Sequence, residues 1–404
     1  MGGLVYISFA EWNKHMTPAA RLQAAIEILD RVIAGAAAEQ ALTSWARASR
    51  FAGSKDRAAV RDHVFTALRC WRSHAALGGA ETGRGLMLGA VREAGADPAL
   101  MFTGDGYGPS RLTGDESVAR TPRMTAAEEN DLPDWIWPMF SDSLGADATA
   151  AAQALRHRAP VHLRVNLRAS DVADAQSQLA EEGIVTERLS IAPAALNVSE
   201  GARKIRNSKA YTSGVVELQD AASQAVVEAL PLRAGLRVLD YCAGGGGKSL
   251  AIAAHADCQV YAHDIDWNRM KDLSPRAERA GVQIELLRTA ELSAQAPFDI
   301  VFCDAPCSGS GSWRRAPEGK WRLTAERLAA VVETQAEVLQ QTAQLVAVDG
   351  VLAYATCSML DVENENQVTR FLQSNPEWQK TLSKRWLVQD GADGFFVALL
   401  KRHS

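Results

Sequence analysis

Cysteine is scarce in this chain, with six in 404 residues and no C-x-x-C pair among Cys70, Cys242, Cys258, Cys303, Cys307 and Cys357. That excludes a disulfide framework and the usual zinc ribbons, and it leaves the thiols for packing or chemistry in a reducing, cytoplasmic setting. Long apolar runs are missing too; nothing approaches the roughly 18 consecutive residues that a membrane-spanning helix needs. The opening MGGLVYISFAEWNKHM has no basic start leading into an apolar stretch, so it does not read as a secretory signal. Met16, just before Thr17-Pro18, is the more natural start, and residues 1–16 read as a poorly ordered extension. Excess positive charge is absent as well. The net charge is −5, so any nucleic-acid binding must rest on local patches.

What is present is length, enough for two or three domains with real cores. Thr17 can cap a helix whose first residue is Pro18, ahead of the apolar series Leu22, Ala25, Ile26, Leu29, Val32, Ile33. A break at Gly53-Ser54 precedes a second helical pattern through Val60, Val64, Ala67, Leu68 and Trp71. Residues 17–155 therefore read as one all-α domain. At Pro160 the character changes. VHLRVNL alternates, with Val161, Leu163, Val165 and Leu167 on one side, and DVADAQSQLAEEG then reads as a helix. This predicts a small α+β module of ferredoxin or RRM-like type over 156–215. From 216 to 404 strand and helix take turns, with strand-like runs at 236–242, 258–264, 282–287, 299–304, 350–357 and 394–401. Apolar strands separated by helices predict an α/β, Rossmann-like sheet, largely parallel and covered on both faces.

The first of those strands runs into Asp240-Tyr241-Cys242-Ala243-Gly244-Gly245-Gly246-Gly247-Lys248-Ser249, where consecutive glycines allow a tight turn and a close approach to a ligand. Gly247-Lys248-Ser249 imitates a phosphate loop, but that motif needs glycine where Cys242 stands. The second strand ends in His263-Asp264-Ile265-Asp266; Asp264 is placed to meet ribose hydroxyls, and Asp266 to cap the following helix. Asp304-Ala305-Pro306-Cys307 and Ala355-Thr356-Cys357-Ser358 follow the fourth and fifth strands. Both therefore lie at the ligand-binding edge of such a sheet. Cys303, inside IVFCD, reads as core, as do Cys258 and Cys70. No metal site is expected.

DYCAGGGGKS, DAPCSGSGSWRRAPEGKW and YATCSMLDVENENQV, with QDAASQ (219–224) and DGFFVALL (393–400), together resemble the Sun/RsmB-type RNA cytosine-5 methyltransferases over residues 160–404. SRFAGSKDR and its helical surroundings resemble the NusB-like RNA-binding domain of the bacterial ribosomal RNA branch. The resemblance implies that S-adenosylmethionine is the cofactor and that RNA, most of all small-subunit ribosomal RNA, is the partner. It also implies a monomer that acts in the cytoplasm. Cytosine carbon 5 is a poor nucleophile until a thiolate adds to carbon 6. Carried over by motif, Cys357 is that nucleophile and Cys307 assists its release. Asp304 meets the ring near nitrogen 3 and steadies the charge that develops there. A swap of the two cysteines stays open, because DNA cytosine-5 methyltransferases use a Pro-Cys thiol. By the same transfer Cys242, Ala243, Gly244, Gly245, Gly246, Gly247 and Lys248 hold the methionine part, with Asp264 and Asp304 completing the cofactor site. The family commonly has Ala-Pro at Gly244-Gly245, and often an aspartate after the third strand. Here that stretch reads Leu287-Arg288-Thr289-Ala290-Glu291, leaving Thr289 or Glu291 for the adenine. A transfer RNA substrate, or an RNA-binding assembly factor without activity, are the alternatives.

Three basic clusters suit a phosphate backbone. The first holds Arg47, Arg50, Lys55, Arg57 and Arg61, the second Arg203, Lys204 and Arg206, and the third Arg314, Arg315 and Lys320 between Trp313 and Trp321. A cytosine that is to meet a thiolate must be unstacked, which implies a single-stranded or flipped target.

Overall fold

The computed structural model describes residues 16–118 and 121–403, so the extension expected over 1–16 lies, Met16 apart, outside the described residues. The chain divides into two compact units.

The first unit comprises the chain up to Ser141, Ala152–Arg158 and Trp313–Arg322. Its main helices are α1 (Pro18–Ile33), α2 (Ala38–Ala48), α3 (Ser54–Arg69), α4 (Trp71–Gly78) and α5 (Gly83–Glu93). Thr17 caps α1 as expected, its hydroxyl oxygen accepting from the Ala20 amide at 3.1 Å. The apolar stripe of α1 (Leu22, Ile28, Leu29) packs with Val60, Val64 and Leu68 of α3 and Leu86 and Leu88 of α5. Asp131, at φ 51°, is fully buried and receives the Ser73 amide at 2.9 Å, the Ser73 hydroxyl at 2.8 Å and Arg156 Nε at 2.7 Å. The carbonyls at the end of α3 are met by residues far along the chain. Trp321 Nε1 donates to Leu68 O at 2.6 Å, and Lys320 Nζ donates to both Arg69 O and Asp131 O at 2.7 Å. Cationic and ring N–H donors thus do what a capping motif does elsewhere.

The division departs from the helical domain expected over 17–155 in both directions. Residues 142–151 belong to the second unit, where the Ser143 hydroxyl accepts from the Asp361 amide at 2.9 Å and Ser143 O from Arg385 at 2.8 Å. Residues 313–322, expected as a basic cluster within the catalytic domain of 216–404, belong to the helical unit.

The second unit holds two sheets. The smaller has strands β1 (Val161–Val165), β2 (Val185–Arg188), β3 (Ala195–Glu200) and β4 (Val216–Leu218), in the antiparallel order β2-β3-β1-β4. Because β4 pairs with β1, with Leu163 opposite Leu218, the module runs past the expected boundary at 215. β1 also stops before Leu167, which is 49% exposed. Its polar side is buried as well: His162 Nδ1 lies 3.0 Å from Asp220, and Arg164 Nε donates to Gln219 at 2.7 Å.

The larger sheet has β5 (Arg237–Asp240), β6 (Gln259–Ala262), β7 (Ile284–Leu286), β8 (Phe298–Asp304), β9 (Val346–Thr356), β10 (Trp378–Trp386) and β11 (Phe395–Arg402). Their order is β10-β11-β9-β8-β5-β6-β7, parallel from β9 to β7, with β11 and β10 antiparallel at the other edge. From β5 the chain builds outward through β6 and β7, then returns to build the other way through β8 and β9. The carboxyl ends of β5 and β8 therefore flank the point where strand order reverses, the place where open α/β sheets form a crevice. Val238, Ile300, Phe302, Ala353 and Val397 fill the core on one face, and Leu239, Val301, Cys303, Leu352 and Tyr354 fill it on the other.

Candidate active site

Four loops meet at that edge. After β5, Gly244 (φ 52°) and Gly246 (φ 76°) turn the chain into the helix Gly247–His255. A Cβ at Gly246 would stand 2.1 Å from Leu273 Cδ1, so only glycine fits there. The first amides of that helix have no intrahelical acceptor and point along a helix dipole, a setting suited to a carboxylate. Beneath the turn lies Asp240, 1% exposed. Its Oδ2 accepts from the Ser249 hydroxyl at 2.6 Å, its Oδ1 has no partner, and burial pushes its carboxyl up to about 7.

After β6, Asp264 is buried and accepts from the Gly244 amide at 2.9 Å, the Asp266 amide at 3.0 Å and Arg269 at 3.1 Å. A carboxylate has about four acceptor positions, so one is left for a hydroxyl. Asp266 caps the turn that follows, accepting from Asn268, as its position in the sequence foretold. His263 was not singled out by its sequence. Its Nδ1 lies 2.8 Å from Tyr241 O, which can only accept, so Nδ1 carries the proton and Nε2 accepts from the Thr289 hydroxyl at 2.9 Å. Burial lowers this imidazole's pKa and keeps it neutral. Thr289 is thereby held at the crevice. Glu291 is exposed and turns back to its own helix start, accepting from the Arg288 amide at 2.6 Å.

After β8, Asp304 Oδ2 pairs with Lys248 Nζ at 2.5 Å, and Lys248 also sits 4.9 Å from the centre of the Phe395 ring. Burial works to lower the Lys248 pKa, but Asp304 outweighs it and the ammonium ends above its ordinary value. Lys248, expected among the cofactor ligands, thus sits in an ion pair with Asp304, the carboxylate expected to meet the cytosine. Cys307 Sγ lies 3.3 Å from Cys357 Sγ, which follows β9. The Cys357 thiol beside it and then burial push the Cys307 thiol well above its ordinary value. Cys303 is fully buried core, as expected, whereas Cys258 is only half-buried and donates to Arg233 O at 3.2 Å.

The two cysteine loops are stitched together from below. Gly311 N donates to Cys357 O at 2.9 Å, and Gly394 N donates to Gly311 O at 2.9 Å. Glu363, fully buried, accepts from the Ser308 amide at 2.7 Å, the Ser308 hydroxyl at 2.5 Å and the Ser358 hydroxyl. Glu363 lies within YATCSMLDVENENQV but was not singled out, because sequence order does not say which of its acids is buried.

Of the basic residues, Arg47, Arg50, Lys55, Arg57, Arg203, Lys204, Arg206 and Arg315 are exposed. Lys204 donates to Glu182 O at 3.1 Å, and Arg61, also exposed, pairs with Glu39. Lys320 and Arg314 are corrections. They are 1% and 5% exposed, and the Lys320 ammonium, which burial lowers to about 8, is taken up by two carbonyls of the helical unit. Counting charges along a chain does not distinguish such a cation from a phosphate ligand.

Residues 227–401 match the model of the 16S rRNA methyltransferase RsmB/F family, and residues 132–203 match the ferredoxin-like domain of RsmF/B-like methyltransferases. The chain is 30% identical over 308 residues to the probable ribosomal RNA small subunit methyltransferase B of Bacillus subtilis, covering 70% of this chain and 68% of that one. The chain belongs to the RsmB/F methyltransferase family. The ribosomal RNA small subunit methyltransferase B of Vibrio cholerae is 32% identical over 283 residues, covering 67% and 65% of the two chains. Among solved structures, the fold is shared with PH0851 (TM-score 0.72, 21% identity, 96% of this chain and 99% of that). It is shared too with NSun6 from Pyrococcus horikoshii, solved with SFG (TM-score 0.60, 16% identity, 67% and 98%). As a member of this family the chain is an enzyme that uses S-adenosylmethionine, and the glycine turn, the free helix amides and the remaining acceptor position of Asp264 suit that cofactor's carboxylate and ribose. Among the described residues no helix is long and apolar enough to cross a membrane.

Proposed function

We propose that the protein methylates carbon 5 of a cytosine in small-subunit ribosomal RNA through a transient bond between Cys357 Sγ and carbon 6. The observation that carries this reading is the thiol pair, 3.3 Å apart, at the same sheet edge as the Lys248–Asp304 ion pair. Binding alone needs neither. The bound cofactor supplies an electrophilic methyl group. The loop Cys242–Gly247 and Asp264 hold that cofactor; Thr289, fixed by His263, is the polar group offered to its adenine.

Cys357 adds to carbon 6, which places electron density on carbon 5. Asp304 meets the nitrogen 3 edge, and the Lys248 ammonium paired with it offsets the negative charge that the ring acquires. Once carbon 5 has taken its methyl group, a water acting as base removes the carbon 5 proton, the carbon 5–carbon 6 double bond re-forms, the Cys357–carbon bond breaks and the sulfur leaves as thiolate. Cys307 Sγ, 3.3 Å away, stands ready to donate to that sulfur. The assignment of Cys357 to attack and Cys307 to release follows the motif resemblance. The helical unit serves as a NusB-like RNA-binding domain, with Arg47, Arg50, Lys55, Arg57 and Arg61 on the backbone, assisted by Arg203, Lys204, Arg206 and Arg315.

The test is methyl transfer from labelled S-adenosylmethionine to unmodified small-subunit RNA, with denaturing gels to catch protein–RNA adducts. Cys357→Ala should abolish both transfer and adduct, whereas Cys307→Ala should accumulate adduct. An adduct that survives Cys357→Ala would exchange the roles of the two thiols.

A further inference from the structure

The two cysteines come from loops 50 residues apart that also touch directly, Gly311 N donating to Cys357 O. A buried polar cluster holds them further, built from Gln335 together with Glu363 and Asn364 of the stretch that follows Cys357. Gln335, on the helix Ala325–Ala343, donates through Nε2 to Pro306 O at 2.9 Å and to Glu363 Oε1 at 3.1 Å. Glu363 Oε1 also takes the Ser308 amide at 2.7 Å, so the residues on both sides of Cys307 are held. The other oxygen, Oε2, takes the hydroxyls of Ser308 and Ser358, one from each cysteine loop. With the Ser358 proton spent on Glu363, Ser310 must donate to Ser358 Oγ, at 3.0 Å. Asn364 completes the Cys357 side. Its Oδ1 accepts from the Thr356 hydroxyl at 2.6 Å, and its Nδ2 donates to Ser358 O at 2.9 Å. Tyr354 OH, donating to Glu363 O at 2.7 Å, fixes the turn that carries both residues.

We propose that Glu363 is a positioning residue that sets Cys307 Sγ against Cys357 Sγ and thereby governs release of the covalent intermediate. The inference rests on the reading of Cys307 as the releasing group. Every polar contact of the Glu363 side chain described is with a donor, and one carboxylate takes donors from both loops at once. An amide in its place would turn an N–H toward donors on at least one side. The Cys307 loop would then be pushed off station, while Cys357, held independently by Asn364, would still attack.

The experiment uses the full chain and three variants, Glu363→Gln, Glu363→Asp and Ser308→Ala, each checked for cofactor binding and thermal midpoint. The first readout is the fraction of RNA trapped as adduct during turnover, expected to rise roughly tenfold or more in Glu363→Gln, with partial rescue in Glu363→Asp. The second needs no RNA. Diamide takes two electrons and two protons from the Cys307 and Cys357 thiols as the S–S bond forms, and the rate of that step reports how closely they are held. That rate should fall by a similar factor in Glu363→Gln and less in Ser308→Ala. A folded Glu363→Gln with parental thiol-coupling rate and adduct fraction would overturn the proposal. If Glu363→Gln does not fold, Ser308→Ala decides by the same two readouts. Slower thiol coupling with no adduct in any variant or parent would instead uphold the positioning role and refute the covalent route.

Discussion

Replacing Gly311 by alanine puts the stitching of the catalytic loops under direct strain. A Cβ there would stand 2.1 Å from Gly394 O, 2.6 Å from its carbonyl carbon and 2.7 Å from its Cα, all backbone atoms with no rotamer to yield. Ordinary contact begins at 3.4 Å, so the two strands of chain must part by more than about 1 Å. That separation stretches Gly394 N to Gly311 O and Gly311 N to Cys357 O, each 2.9 Å in the parent. Overpacking of this kind costs about 1–3 kcal/mol, and two weakened buried hydrogen bonds add roughly 1 kcal/mol each. The expected loss is therefore about 3–5 kcal/mol from the second unit, a large share of the usual 5–15. Gly114→Ala, with open space around it and inside a short helix, is the control and should change stability by less than about 0.5 kcal/mol. Urea unfolding of both variants beside the parent measures the difference, and methyl transfer by the surviving fold reports the displaced Cys357. A Gly311→Ala midpoint indistinguishable from that of Gly114→Ala would refute the argument, for it would mean that the loops rearrange at no cost.

Lys248→Met should lower methyl transfer by roughly 10²–10³ while leaving cofactor affinity within a few-fold; the reverse pattern would return Lys248 to the cofactor loop, where its sequence position puts it. Glu116, which receives Arg84 Nε and Nη2 at 2.8 Å each, has its pKa lowered to about 2, chiefly by that contact. Because the folded value lies below the unfolded one, its contribution is present above about pH 4.5 and is lost as the pH falls toward 2, so Glu116→Gln should flatten the acid sensitivity of the first unit measured by urea midpoints at pH 5 and 3. Arg50→Ala combined with Arg57→Ala should weaken RNA binding and lower the slope of affinity against salt by about two, read by titration at several salt concentrations.

Much of the fold was legible in the chain. Six strand runs of the larger sheet fall where their apolar patterns put them, because buried parallel strands read as continuous hydrophobic stretches. The seventh, β10, left no such trace. In WQKTLSKRW only the two terminal tryptophans are buried, as befits an edge strand with one partner. The motifs that end β5, β8 and β9 announced the site, since position at a strand's carboxyl end is a property of sequence order. What joins those motifs was hidden. Glu363 lies 55 residues from Ser308, and its burial depends on donors that only the folded chain assembles. Lys320 and Arg314 were misread for the converse reason: their basic neighbours suggested solvent, and the carbonyls that receive Lys320 come from residues near 69 and 131.

Those carbonyls also bear on how the molecule comes into being. The helical unit is not finished when its N-terminal stretch leaves the ribosome, because Trp313–Arg322 is the last piece of it to be made. At ordinary elongation rates the interval between residues 158 and 322 is on the order of ten to thirty seconds. Throughout that time the end of α3 waits with Leu68 O and Arg69 O facing water or a chaperone. A fragment cut at residue 158 would be held permanently in that state, an unfinished helical bundle rather than a domain that folds on its own.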